Sequence, residues 1–122
     1  MIIAIDYDGT ISATNHEKVK WIATHLGKTV SPWECNRTNC VPIIGIDAYT
    51  SMGAFVYERE STLQADEVPG ALDALRVLSR KAQLYVVTAR PQRRIPFARE
   101  WLETHGVLSR VKDVRSSEGS SK

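Results

Sequence analysis

Residues 2–10, IIAIDYDGT, form an apolar run that ends in two acids one residue apart. The run is apolar on both faces, a pattern typical of a central strand in a parallel sheet that helices cover on either side. Acidic side chains are not expected inside such a strand, but open α/β sheets bind ligands in the crevice outside the carboxyl ends of their strands. We therefore expect Asp6 and Asp8 at a crevice, with Gly9 allowing the sharp turn that points both acids into it.

Length, composition and charge limit what can surround this crevice. The 122 residues suit one domain with its own core. The hydrophobic share of 43% and the charged share of 25% are those of a soluble globular chain rather than a membrane protein. A net charge of +2 is too small to indicate nucleic acid or an anionic membrane as partner. Because Asp6 interrupts any N-terminal signal pattern, we expect a cytoplasmic protein in which Cys35 and Cys40 are reduced thiols.

Strands alternate with helices along the chain. Helices are predicted over residues 14–27, 68–80 and 95–106, and strands over residues 2–5, 82–88 and 107–114. Between them, residues 41–47, VPIIGID, could form a strand, and residues 48–60, AYTSMGAFVYERE, could be helical. This alternation predicts an α/β fold: a Rossmann-like parallel sheet with helices on both faces.

The carboxyl ends of these strands should bring several polar side chains to the crevice. The expected members are Asp6 and Asp8 after the first strand, Thr88, Ala89 and Arg90 after the second, and Lys112 or Lys122 near the third. Such a set suits a phosphate, because phosphoryl transfer needs a nucleophile, a divalent metal ion and donors for the phosphoryl oxygens. One carboxylate can form an aspartyl-phosphate. The other can protonate the leaving oxygen and later take a proton from water.

Three motifs, DYDGT at residues 6–10, PGALDAL at residues 69–75 and LYVVTARP at residues 84–91, together resemble the haloacid dehalogenase superfamily of aspartate-dependent phosphohydrolases. The last of them is similar to the nucleotidase-like branch. The resemblance implies that Asp6 is the nucleophile and that Asp8 is the general acid and base. It also implies that Asp6 and the backbone carbonyl of Asp8 bind Mg²⁺ and that the Thr88 hydroxyl binds the phosphate.

Around these residues we expect Gly9, Ala89 and one of the two lysines, Lys112 or Lys122, to complete the phosphate site. Arg90 is the arginine that we favour as a further clamp on the phosphate. The implied function is that of a Mg²⁺-dependent phosphatase for a small phosphorylated substrate, such as a nucleotide or a sugar phosphate.

The chain is predicted to be one such domain over residues 1–122, with a cap-like insertion over residues 12–66. The family places in this position a module that covers the crevice and chooses the substrate.

The sequence also departs from the family. The family carries a lysine and then an acidic pair after a further strand, and after Thr88 no apolar run of this sequence ends in an acidic pair. One alternative is therefore a catalytically impaired scaffold that binds a phosphorylated ligand. Another is a receiver-type signalling domain, in which Asp47 would accept the phosphoryl group beside Thr88 and Lys112. Against this alternative, Pro42 weakens the strand that would have to present Asp47.

Overall fold

A computed structural model of the protein describes residues 1–117. The strands are β1 (Ile2–Asp6), β2 (Gln83–Thr88) and β3 (Asp113–Ser116). The helices are α1 (Thr14–Leu26), α2 (Arg37–Ile44), α3 (Ile46–Val56), α4 (Arg59–Gln64), α5 (Ala71–Ser79) and α6 (Ile95–Thr104). Lys122, one of the two lysines expected at the phosphate, lies outside the described residues.

The three strands form one parallel sheet in the order β1-β2-β3. Ile5 of β1 lies opposite Val86 of β2, which in turn lies opposite Val114 of β3. Because the strands are parallel, their carboxyl ends lie along one edge of the sheet, and β2 ends at Thr88 as predicted. The predicted fold class, an α/β protein with a Rossmann-like parallel sheet flanked by helices, is confirmed.

The position of β1 differs from the prediction of a central strand. Within residues 1–117 it is an edge strand, and β2 is the central one. Ile2 is 67% exposed, and Ala4, on the same face of the strand, is also exposed. Right-handed crossovers between consecutive neighbouring strands bring their helices to one face of the sheet. The main hydrophobic cluster accordingly joins Leu84 and Val86 of β2 to both α5 and α6.

A second hydrophobic cluster lies within the range predicted as the insertion. Its buried members come from α1 to α3 and their connections: Trp21, Ile22, Val30, Cys35, Cys40, Met52 and Val56. Both cysteines are free and buried in it. The helix that follows, α4, packs instead against α6, where the Trp101 indole donates a hydrogen bond of 2.8 Å to the Ala65 carbonyl. Helices α1 to α3 thus have a core of their own, and α4 connects them to the main cluster.

The segment over residues 41–47 is helical, so the strand considered there is wrong. Asn36 caps α2 by accepting a hydrogen bond of 2.9 Å from the Asn39 amide. Gly45, with φ of +89°, then separates α2 from α3. A short apolar run does not by itself distinguish a buried helix from a strand. Asp47 consequently lies exposed in the first turn of α3 and not at a strand end, which removes the phosphoacceptor that the receiver alternative requires.

The third strand is shorter than predicted. Residues Leu108–Arg110 form a 3₁₀ turn, and β3 begins only at Asp113. In the described part of the chain, no helix is long and apolar enough to cross a membrane.

Candidate active site

A cavity of about 320 Å³ lies at the carboxyl ends of β1 and β2. Its lining residues are Asp6, Tyr7, Asp8, Tyr57, Val87, Thr88, Ala89, Arg90 and Pro91. The structure thus brings together five of the side chains expected at the crevice: Asp6, Asp8, Thr88, Ala89 and Arg90. The range predicted as an insertion contributes Tyr57, which follows α3 directly.

The turn after β1 aims the two acids. The Tyr7 carbonyl accepts backbone hydrogen bonds from Ile11 at 2.9 Å and from Ser12 at 3.0 Å, which closes a tight loop. Gly9 has φ of +83° within this loop, a conformation that side-chain-bearing residues rarely adopt. Gly9 therefore shapes the turn as predicted, although it is not among the lining residues of the cavity.

The Asp8 carboxylate is surrounded by donors. The Thr14 hydroxyl donates to Oδ1 at 2.7 Å, and the Thr88 hydroxyl donates to Oδ2 at 2.8 Å. Arg90 adds its Nη2 at 2.9 Å from Oδ1 and its Nε at 3.2 Å from both oxygens. Burial by itself would raise the pKa of Asp8, but the hydrogen bonds and charge of Arg90, with the two hydroxyls, hold this pKa below its usual value. Asp8 is therefore an ionised acceptor in this arrangement.

Asp6 has the opposite environment. Its side chain is exposed at the cavity, and no hydrogen bond or ion pair reaches its carboxylate from elsewhere in residues 1–117. A carboxylate without protein donors keeps its lone pairs available for an electrophile. Two acids on one turn thus differ in the way that distinct chemical roles require.

The donor set also tests whether Mg²⁺ fits here. The described residues contain no cluster of three or more Asp, Glu, His or Cys side chains able to hold a metal ion. Mg²⁺ commonly keeps several waters and needs only one or two carboxylates. The Asp6 carboxylate suits one such position, and the Asp8 side chain is taken by Arg90. The Asp6 carboxylate therefore suits a water-rich Mg²⁺ site, and the described residues form no closed cage for the ion.

Arg90 does not have the open arrangement expected of a phosphate clamp. Its side chain is only 2% exposed, and its guanidinium binds Asp8 on one side and the Thr62 hydroxyl, at 2.7 Å, on the other. The same group lies 5.3 Å from the centre of the Tyr7 ring and 4.9 Å from that of Tyr57. Arg90 is thus committed to protein partners.

The lysine expected at the phosphate is not found in the described crevice. Lys112 directly precedes β3, and its amide donates to the Leu84 carbonyl near the beginning of β2. It is exposed at the amino end of the sheet, opposite the edge that carries Asp8 and Thr88. The structure therefore does not bring Lys112 to the predicted site.

Sequence reasoning missed several residues of this site. One is Thr14, the first residue of α1, whose hydroxyl binds Asp8 while Ala13 occupies the N-cap position. Tyr57 and Thr62 gave no signal, because their contacts with Arg90 exist only once α3 and α4 have folded against the sheet.

Lys18 is the fourth missed residue. It is 6% exposed, and its Nζ lies 5.2 Å from the centre of the Tyr57 ring. Burial would lower the pKa of Lys18, but Tyr57, Tyr49 and Asp8 raise it above the usual value. A signal was available, because Lys18 precedes Trp21 and Ile22 by three and four positions and so shares their buried helix face.

Several solved hydrolase structures have the same fold. A haloacid dehalogenase-like family protein from Streptococcus pneumoniae gives a TM-score of 0.64 at 17% identity, over 95% of this chain and 60% of that one. A protein named as a phosphoglycolate phosphatase, from Lactobacillus plantarum, gives a TM-score of 0.60 at 18% identity, over 99% of this chain and 63% of that one. The HAD-hydrolase YfnB from Bacillus subtilis, described as bound to magnesium, gives a TM-score of 0.58 at 16% identity, over 98% of this chain and 66% of that one.

These matches show that the chain has the haloacid dehalogenase-like hydrolase fold, a fold shared with proteins named as phosphatases. The predicted resemblance to that superfamily is confirmed at the level of fold, and the nucleotidase-like branch stays a prediction. The chain spans 60 to 66% of the length of these three structures. A scan against protein-family models and a search of the curated proteins both gave no match.

Proposed function

We propose that the chain provides the catalytic residues of a phosphatase that hydrolyses a small phosphate ester through an aspartyl-phosphate. The observation that carries the proposal is the contrast between Asp6 and Asp8 at one cavity. One carboxylate is free of protein donors, and the other is held by three side chains. A cavity of about 320 Å³ suits a small ester, such as a nucleotide or a sugar phosphate.

In the first step, an Asp6 carboxylate oxygen attacks the phosphorus atom. The bond from phosphorus to the ester oxygen breaks, and the leaving oxygen takes a proton from the Asp8 carboxyl group. The products are the free alcohol and the phosphoryl group bound to Asp6. For this step Asp8 must hold a proton, so the Thr88 hydroxyl has to stop donating to it, because that hydrogen bond favours the ionised carboxylate.

In the second step, the Asp8 carboxylate takes a proton from a water molecule. The resulting hydroxide oxygen attacks the phosphorus atom, the bond to Asp6 breaks, and inorganic phosphate leaves with Asp6 restored. Asp8 suits this step in the arrangement observed, because Arg90 lowers its pKa and so keeps it an ionised acceptor.

The phosphoryl oxygens need donors near the reacting atoms. Thr88 and Ala89 line the same cavity as Asp6, and the positive φ of Gly9 allows the tight turn beside it. Mg²⁺ held by Asp6 and the Asp8 backbone carbonyl would supply positive charge for these oxygens.

Hydrolysis of p-nitrophenyl phosphate with Mg²⁺ tests the proposal. Asp6→Asn should abolish turnover, because an amide is a far poorer nucleophile and carries no charge for the metal ion. Asp47→Asn, on the exposed first turn of α3, is the matched control and should keep wild-type turnover. EDTA should also remove the activity. Turnover by Asp6→Asn, or turnover that EDTA leaves unchanged, would contradict the proposal.

A second candidate function is binding of a phosphorylated ligand without turnover. One observation favours it: the described residues contain no acidic cluster for a metal ion. Isothermal titration with inorganic phosphate separates the candidates. Binding of phosphate by a chain that shows no turnover with Mg²⁺ supports the binding scaffold.

A further inference from the structure

Arg90 contacts several parts of the fold at the cavity. Its guanidinium binds Asp8 of the loop after β1 and Thr62 of α4, and it lies against the ring of Tyr57. Its carbonyl accepts a hydrogen bond of 2.5 Å from the Ser116 hydroxyl at the end of β3.

The partners of Arg90 fix its orientation. A guanidinium with 2% side-chain exposure has lost nearly all its water, so its donors must be satisfied by the protein. Asp8 takes Nε and Nη2, while Thr62, itself 2% exposed, takes Nη1. A planar fork can serve acceptors in two directions at once, whereas a lysine ammonium is a compact charge on a flexible chain. The arrangement therefore requires arginine.

Asp8 and α4 are thereby joined through a single side chain. The Asp8 end lies at the cavity, and the Thr62 end lies in α4, the last helix of the range predicted as the insertion. Tyr57, the cavity residue supplied by the insertion, packs on the same guanidinium. Any displacement of α4 must move Arg90 or break its bond to Thr62.

We propose that Arg90 is a positioning residue, which holds the Asp8 carboxylate in place at the cavity and joins it to the insertion through Thr62 and Tyr57. This inference rests on the proposed function and deepens it. Arg90 acts through Asp8 and does not contact the substrate phosphate in this arrangement. It links the position of α4 to the placement of the acid and base.

The kinetic test compares Arg90→Met and Arg90→Lys with Arg110→Met, an exposed arginine away from the cavity. With p-nitrophenyl phosphate and Mg²⁺, Arg90→Met should lower kcat by about 10- to 100-fold, the loss typical when a partner that orients a functional side chain is removed. KM should not change, since the substrate loses no contact. Arg90→Lys should lose as much, because a lysine cannot serve both acceptors. Arg110→Met should behave as wild type.

The second arm needs no activity. Amide hydrogen exchange of residues 59–64 should become faster in Arg90→Met and in Thr62→Val, because each breaks the connection between α4 and Asp8. Thr62→Val leaves the Arg90 contacts with Asp8 in place, so it tests the insertion side even if Arg90→Met fails to fold. Arg110→Met should leave this exchange unchanged.

Three results would overturn the inference. One is a raised KM with unchanged kcat in Arg90→Met, which would make Arg90 a direct phosphate ligand. Another is wild-type turnover by Arg90→Lys. The third is unchanged exchange of residues 59–64 in both Arg90→Met and Thr62→Val. If the wild-type chain shows no hydrolysis at all, the proposed function fails, and the exchange measurement still decides whether Arg90 connects α4 to the site.

Discussion

The Thr88 hydroxyl donates a hydrogen bond of 2.8 Å to the Asp8 carboxylate, across 80 residues of sequence. A hydroxyl has a single proton to donate, so Thr88 cannot at the same time donate to a bound phosphate. Binding of a phosphate by Thr88 therefore requires that this hydrogen bond be exchanged. The structure thus describes a site in which Asp8 occupies the donor that the resemblance assigns to the substrate.

Replacement of Thr88 by valine tests how much this bond stabilises the fold. Valine has the same shape without the hydroxyl, so Thr88→Val should lower the free energy of unfolding by about 1.5 to 3 kcal/mol, the usual range for a hydrogen bond to a charged group. Urea denaturation measures it. Thr50→Val is the matched control, because the Thr50 hydroxyl donates only to the Ile46 carbonyl on an exposed helix surface. Equal stability of the two variants would contradict the assignment.

The stability of the chain should depend on pH through Asp8. Its pKa is lowered in the folded state, so its contribution is fully present above the unfolded value of about 3.9 and is lost as the pH falls below that, through the folded pKa. Asp8→Asn should therefore be less stable than wild type at about pH 7, because Arg90 loses its charged partner. The difference should shrink below about pH 4.

Urea unfolding of both proteins at a series of pH values measures this difference. A difference that stays constant down to about pH 3 would mean that Asp8 does not titrate with a lowered pKa in the folded state.

The site was predictable from the sequence only where it depends on strand ends. Asp6, Asp8 and Thr88 follow or end apolar runs, and parallel strands place such residues along one edge. Thr14 and Arg90 escaped the prediction in a different way. Thr14 lies at the start of a helix, and Arg90 was expected to clamp a phosphate, yet both side chains bind Asp8, because tertiary placement brings that carboxylate within reach.

The fold shows the same limit. The alternation of strands and helices predicted the parallel sheet, because local patterns determine the elements and crossover rules determine their order. The edge position of β1 could not be predicted. An apolar run shows that a strand can be buried, but it does not show which strands or helices lie next to it. The prediction for residues 41–47 was wrong for a related reason, because an apolar run of this length suits either a strand or a buried helix. The helical assignment depends on the backbone conformation of Gly45, which the sequence does not show.

The separate cluster of α1 to α3 predicts a local response to core mutations. Met52 is fully buried in that cluster, and Leu102 is fully buried in the main one. Met52→Ala and Leu102→Ala should each lower the free energy of unfolding of the cluster that contains the residue by about 2 to 5 kcal/mol. Hydrogen exchange should become faster mainly over residues 14–56 in Met52→Ala, and throughout the sheet and its helices in Leu102→Ala.

This comparison needs variants that remain folded, which circular dichroism verifies. The same pattern of faster exchange in both variants would mean that the two clusters unfold as one unit and that the insertion has no independent stability.

The residue that carries the phosphoryl group during turnover decides whether Asp6 is the nucleophile. The chain is incubated with Mg²⁺ and p-nitrophenyl phosphate, the acyl-phosphate is reduced with borohydride, and the modified residue is located by mass spectrometry. We expect reduction at Asp6, because among the described residues that line the cavity its carboxylate combines exposure with freedom from protein donors. Modification at Asp8 or Asp47, or no modification of a folded chain in the presence of Mg²⁺, would contradict it.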